Sequence, residues 1–143
     1  MKFSSRKDLL VYLLFFGSIT IKIVPVFHLL SEDINTTNLI LLAVISGIIG
    51  FLLWIIYGTG YELKEDLLLY HSGPIKGKIK ISTIHTIVKG KTLWVGFKPA
   101  TAKYGLIIQY GKYDEIYISP KTNEQFIAEI LKHNPKIKIK DHI

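Results

Sequence analysis

The residues able to do chemistry are few and poorly spaced for it. The histidines His28, His71, His85, His133 and His142 are scattered, and none stands at metal-ligand spacing from another. His71 and His85 are placed to approach across strands, although the plainer reading of each is a surface or half-buried strand residue. Glu62, Glu65 and Asp66 gather at one turn. Paired carboxylates can serve as general acid and base, but these read as a solvated turn, as do Asp114 and Glu115. The run Gly73-Pro-Ile-Lys-Gly77-Lys78 glances at a phosphate loop, yet its spacing is one residue short and Ile79 stands where Ser or Thr would hold magnesium. It reads as a hairpin turn. Ser18 and Ser31 have no activating base in view. The chain has no cysteine, which excludes disulfides, thiolate metal sites and a cysteine nucleophile. No catalytic residue, metal site or cofactor is expected, and the chain does not read as an enzyme.

What must position any remaining site is an uneven chain. Its 143 residues carry a formal charge of +7, and 49% of them are hydrophobic. The mean hydropathy is +0.33, high for a soluble domain of this size. The apolar residues are concentrated: residues 9–57 hold very few charges. Asn38 to Tyr57 is a charge-free run, and a helix of that length rises about 30 Å, the thickness of a bilayer's hydrocarbon core. Trp54 and Tyr57 sit near its end, where an aromatic belt would lie. Leu9 to Leu30 is nearly as apolar, and the second apolar run follows it directly, so a transmembrane hairpin is expected over 1–57, with spans of about 9–30 and 38–57. Pro25 kinks the first span. Lys22 lies within it. One reading has this lysine snorkelling to an interface; the sharper one makes it an intramembrane charge that binds something.

The connector Ser31–Thr37 is short and acidic, so the two spans should be antiparallel neighbours. Ala43, Ser46, Gly47 and Gly50 share one helix face, where small residues allow close packing. The expected partner is the Gly17–Ser18 region, with a second copy of the chain as the alternative. Lys2, Arg6 and Lys7 precede the first span, whereas the connector holds Glu32 and Asp33 and no basic residue. The positive-inside rule then places both termini in the cytoplasm of a multi-pass inner-membrane protein.

After Tyr57 the pattern changes to short runs divided by turn residues. Strands are expected near 59–63, 67–72, 77–81, 84–89, 92–96, 104–110 and 114–119. One helix follows, capped by Ser119 with Pro120 at its first position or by Thr122, and ended by Asn134-Pro135. Phe126, Ile127, Ile130 and Leu131 form its apolar stripe. The expected fold for 58–143 is α+β: a seven-stranded bent antiparallel sheet or partial barrel capped by one C-terminal helix.

Particular residues carry a resemblance here. Tyr61 through Leu68 to Gly73 opens it, followed by Lys78, Ile79, Ile81 and Ile84, then Pro99-Ala100. Ile118, Ser119, Pro120 and Phe126 lead into the helix, and Asn134, Pro135 and Ile137 leave it. In this order the features resemble the small bacterial pleckstrin-homology-like family, also called YyaB-like, over residues 59–139. Several members carry two N-terminal spans. The resemblance implies a PH-like fold and little about activity. Members often have an arginine before the strand that follows the Pro-Ala segment; Lys103-Tyr104 stand there in this chain. Some small proteins of this type look like immunity factors that protect a producer against its own peptide toxin.

The C-terminal part holds 14 lysines against 8 acidic residues. Lys76, Lys78 and Lys80 should project from one strand face, and Lys132, Lys136, Lys138 and Lys140 mark the helix end and tail. Near an anionic leaflet each lysine adds about 1 kcal/mol, fading over a Debye length. Trp94 lies in a loop-rich stretch with Phe97, placed to dip into an interface or grip a partner, with a core position as the plainer reading. No stacking platform for nucleic acid is legible. Two functions are therefore expected: a membrane-anchored interaction module binding a protein or the leaflet through Lys76, Lys78, Lys80, Trp94, Lys136 and Lys138, or an immunity or envelope-stress factor whose site includes the hairpin and Lys22.

Overall fold

The computed structural model describes residues 1–9, 11–13, 16–17, 19–20, 27, 36–93 and 96–141. Lys22, Pro25, His28, the connector up to Asn35, Trp94 and His142 lie outside the described residues.

Two four-stranded sheets form the domain. The first runs β1 (Lys2–Ser4), β2 (Thr59–Lys64), β3 (Leu67–Ser72) and β4 (Ile75–Lys80) in that spatial order, all antiparallel. A 3₁₀ turn, Ile81–Thr83, leads into the second. This is ordered β7 (Asp114–Ile118), β6 (Leu106–Tyr110), β5 (Ile84–Lys89), β8 (Lys138–Asp141). The β5–β8 pair is parallel, and the β5–β6 register shifts between Ile84 and Thr86. The seven-stranded, wholly antiparallel sheet expected from the sequence is thus replaced by eight described strands in two sheets. The two additions, β1 and β8, flank the predicted set. Of the expected strand 92–96, residues 92–93 and 96 are not strand, and residues 94–95 lie outside the described residues.

Alternation decides which side chains meet. In β2, Tyr61 and Leu63 point inward; Leu68 does so from β3, Ile79 from β4, and Ile87, Leu106, Ile108, Ile116 and Ile118 from the second sheet. The helix Asn123–His133 follows β7, with Thr122 as its N-cap and Asn134 as its C-cap. It buries Phe126 and Ile130 completely, and Ile127 and Leu131 in part, so the predicted stripe is the packed one. Phe126 meets Phe3 of β1 edge to face, with ring centroids 5.1 Å apart.

Residues 2–4 therefore belong to the domain, and the division at 57/58 leaves its first strand on the wrong side. Hydrogen bonds hold it there: Leu63 donates to Met1 O at 2.8 Å, Lys121 to Ser4 O at 3.0 Å and Arg6 to Ser119 O at 2.7 Å.

The helix Thr36–Tyr57 (α1; the C-terminal helix is α2) is long and apolar enough to cross a membrane, and its apolar window is nowhere buried within the fold. Leu39, Ile40, Val44, Ile48, Phe51 and Trp54 are all exposed. Of the first apolar segment, residues 9, 11–13, 16–17, 19–20 and 27 are described, and all are helical. Among the described residues, a Cβ at Gly17, Gly47 or Gly50 would meet nothing within 4 Å. Ser18, the other residue of the expected packing partner, lies outside the described residues.

Candidate functional site: the end of the domain where the helices attach

The end of α1 is fixed to the sheet. Thr59 donates its hydroxyl to Ile55 O at 2.6 Å, capping the last turn, and its Oγ1 also lies 2.9 Å from Ser72 Oγ. Gly73, at φ +57°, lets the β3–β4 turn come down on Ile55; a Cβ there would sit 2.8 Å from Ile55 Cγ1. The outgoing chain leaves beside this point, because Ser5 donates its amide to Thr59 O at 3.3 Å. Lys7 then places its ammonium 3.9 Å from the centre of the Tyr57 ring.

A second anchor is the loop 98–104. Its Lys103 amide donates to Asp8 Oδ2 at 2.5 Å, and Asp8 donates its own amide to Thr101 O at 3.3 Å. The Arg6 guanidinium donates to the carbonyls of Lys103 and Tyr104. Where the family pattern led one to expect an arginine next to this strand, an arginine does arrive, but from the N-terminal segment. Between these anchors lies a buried polar cluster. Ser5 Oγ and Ser119 Oγ are 2.9 Å apart, Thr101 donates to Ser5 Oγ at 2.9 Å, and Tyr61 donates to Pro99 O at 2.6 Å. Burial pushes the Tyr61 phenol above its ordinary pKa, partly opposed by its bonds to Ser119 and Ser5.

The domain thus has two ends. Residues 5–8, 57–59, 72–74, 98–104 and 119–121 gather where the helices attach. The turns at 65–66, 81–84, 111–113 and 134–136 form the other end, joined by bonds from Ile81 to Asp66 O, Gly111 to Thr83 O and Asn134 Nδ2 to Ile81 O.

The predicted lysines divide along this axis. Lys76, Lys78 and Lys80 are exposed on the outer face of β4, opposite His71, Leu69 and Leu67. Their row runs away from the helices: Lys76 is near the Gly73–Pro74 turn, and Lys80 is about 13 Å further along the strand. Lys136 lines a cleft at the far end with Asp66, His85 and His133. Lys138 pairs with Thr86, near the same end. Lys76, Lys78 and Lys80 share the outer face of β4, and Lys136 and Lys138 belong to the far end. His71 and His85 do not approach one another across strands, since they lie in different sheets: His71 faces Gly60 and Lys76, while His85 is the second residue of β5. Among the described residues, no group of three or more His, Cys, Asp or Glu could hold a metal ion.

The sequence reading missed the basic group at the helix end. A cleft of about 360 Å³ opens there, lined by Ser4, Arg6, Lys7, Tyr12, Tyr57 and Lys121 among others. Arg6 and Lys7 were legible as orientation signals, but nothing in the spacing places Lys121 beside them. It is the bridge between Ser5 and Pro120, with the bond from Lys121 N to Ser4 O, that brings the three together.

Residues 59–134 match the family model described as Bacterial PH domain. The chain belongs to the bacterial PH domain family. The match starts at the first residue of β2 and ends at the C-cap of α2, so β1, α1 and the helix-end cleft lie largely outside it. Over 89 residues the chain is 33% identical to the protein of Bacillus subtilis (strain 168) named uncharacterized protein YyaB. That alignment covers 62% of this chain and 61% of the relative, so the chain accounts for less than two thirds of the relative's length. A bacterial PH domain suggests a non-enzymatic interaction module.

Proposed function

We propose that this PH-like domain is a non-enzymatic interaction module anchored in the bacterial cytoplasmic membrane by two spans, with both termini on the cytoplasmic side. The supporting observation is the bond from Ser5 N to Thr59 O, 3.3 Å long, which makes the chain leave and re-enter the domain at one point. The 22 residues of α1 rise about 33 Å. If α1 crosses a bilayer, Thr36 lies on the opposite face from the domain. The segment that leaves at Asp8 must reach that face too, and residues 9–35 are long enough to cross as a helix. An even number of crossings follows. Lys2, Arg6 and Lys7 at the domain and Glu32 and Asp33 in the connector favour the cytoplasm for the domain.

The β4 row favours a protein partner over the leaflet. Lys76, Lys78 and Lys80 flank the half-buried Leu67 and Leu69, and most of the row lies beyond a Debye length from the helix end. An acidic partner surface with apolar groups at its centre matches it. Lys22 and Trp94 stay candidate contacts, and the face of Ala43, Ser46, Gly47 and Gly50 is where a second copy would pack.

The absence of native cysteine makes the test direct. Single variants Lys2→Cys, Asn35→Cys and Asn134→Cys are treated in intact cells with a membrane-impermeant maleimide. Only Asn35→Cys should label before the membrane is permeabilised. Equal labelling at all three sites, or labelling of Asn134→Cys alone, would overturn the topology.

A further inference from the structure

The helix-end cleft has the composition of an anion site. None of its lining residues is acidic, and Arg6, Lys7 and Lys121 are among them. The Arg6 guanidinium is turned away to the carbonyls of Lys103 and Tyr104, so it contributes field rather than a direct contact. Lys7 is held by the ring of Tyr57, which fixes its ammonium at the rim instead of leaving it to sweep through solvent. Lys121 is fixed through its backbone by the bond to Ser4 O, at 3.0 Å. Ser4, Tyr12 and Tyr57, each carrying a hydroxyl donor, line the same cleft.

Position sets the ligand. Tyr12 lies in the first turn of the outgoing helix, its amide bonded to Asp8 O, and Tyr57 is the last residue of the returning one. If these helices span, as proposed above, the two tyrosines lie at the level of the lipid headgroups. We infer that the cleft binds a phosphate ester, carried by an anionic phospholipid headgroup or by a small soluble phosphate ester. The site is specific to this architecture: Ser4, Lys7, Tyr12 and Tyr57 all precede the residues that match the family.

The test uses the full chain in a zwitterionic detergent, so its readout does not depend on orientation in the cell. Phosphatidylglycerol and phosphatidylcholine are titrated separately, and bound lipid is counted by native mass spectrometry. The wild type should bind phosphatidylglycerol more tightly than phosphatidylcholine. The double variant Lys7→Gln/Lys121→Gln should bind phosphatidylglycerol about thirtyfold more weakly, the effect of two charges at a membrane surface. The far-end double variant Lys64→Gln/Lys112→Gln removes the same charge and should change nothing. Equal loss in both variants would mean that net charge acts, not the cleft, and no loss in the first would leave the cleft without a role; either overturns the inference. Circular dichroism melts show whether both variants fold. Glycerol 3-phosphate at matched concentration separates the sources: displacement of the lipid assigns a soluble ester, and none assigns the headgroup. A failed topology experiment with an intact lysine effect would remove the anchoring while leaving the site.

Discussion

Ser119 donates its amide to the Tyr61 phenol at 3.0 Å, and this one contact ties the end of β7 in the second sheet to β2 in the first. The phenol also donates to Pro99 O, at 2.6 Å, so the same oxygen holds the loop 98–104. The surroundings are buried, and water cannot replace a lost partner. Tyr61→Phe leaves the Ser119 amide and the Pro99 carbonyl short of a partner, and an unsatisfied buried group costs about 1–3 kcal/mol. Thermal unfolding should report a loss of that size for Tyr61→Phe. Tyr113→Phe, at a side chain 86% exposed, should leave the transition unmoved.

Alkaline pH should act on the same residue. Burial raises the phenols of Tyr61, Tyr110 and Tyr117 above the ordinary tyrosine value, with Asp114 and Tyr70 adding to the effect at Tyr110. The folded state therefore favours the neutral phenol. Its contribution is complete below the unfolded pKa of about 10 and is lost as pH rises through the folded value. Absorbance at the tyrosinate band should show Tyr61 and Tyr117 ionising above the ordinary value and only with loss of the near-UV dichroism. Ionisation of these two phenols near the ordinary value, with the fold intact, would contradict this.

What the sequence revealed and what it hid follow a physical rule. Turn chemistry at Gly73-Pro74 and Gly111–Asp114, and alternation in Lys78-Ile79-Lys80-Ile81, marked strands that begin and end within one local stretch. The apolar stripe of Phe126 and Ile130 marked the helix for the same reason. β1 has only three residues and no turn beside it, and its partner β2 is more than fifty residues away in sequence, so no local pattern announces it. β8 is exposed throughout and pairs in parallel with a strand from the middle of the domain. Thr92, by contrast, looked like a strand residue by type, but its hydroxyl accepts the Tyr104 amide and serves the loop. Ser119 looked like a helix cap, and its hydroxyl is instead spent in the buried cluster with Ser5 and Thr101. The candidate site was hidden with β1: Lys7 and Lys121 become neighbours only through long-range pairing.

Phe3 and Phe126 test that pairing energetically. Phe126 is completely buried, and truncating it to alanine should cost about 3–5 kcal/mol. Phe3→Ala should cost less, since part of its ring is at the edge of the sheet. Their edge-to-face contact makes the two changes non-additive, with a coupling of about 0.5–1.5 kcal/mol in a double-mutant cycle. Additive effects would mean that β1 is not seated on α2 in solution.

The same geometry allows the apolar segment to be removed. Because Ser5 and Thr59 are hydrogen-bonded, the ends left by deleting residues 9–57 are close together, and a short Gly-Ser linker of about six residues can join Asp8 to Gly58. This miniature keeps β1, Phe3, the Ser5 cluster and Arg6. A fragment starting at Gly58 loses them all and exposes the β2 edge and one face of Phe126. The miniature should be soluble without detergent, monomeric and cooperative in urea. The shorter fragment should be less stable by several kcal/mol, the scale of one lost core aromatic plus the unsatisfied groups of the cluster. Equal stability of the two would show that the domain folds without its N-terminal strand, and that the strand is held in place by the helices rather than by the core.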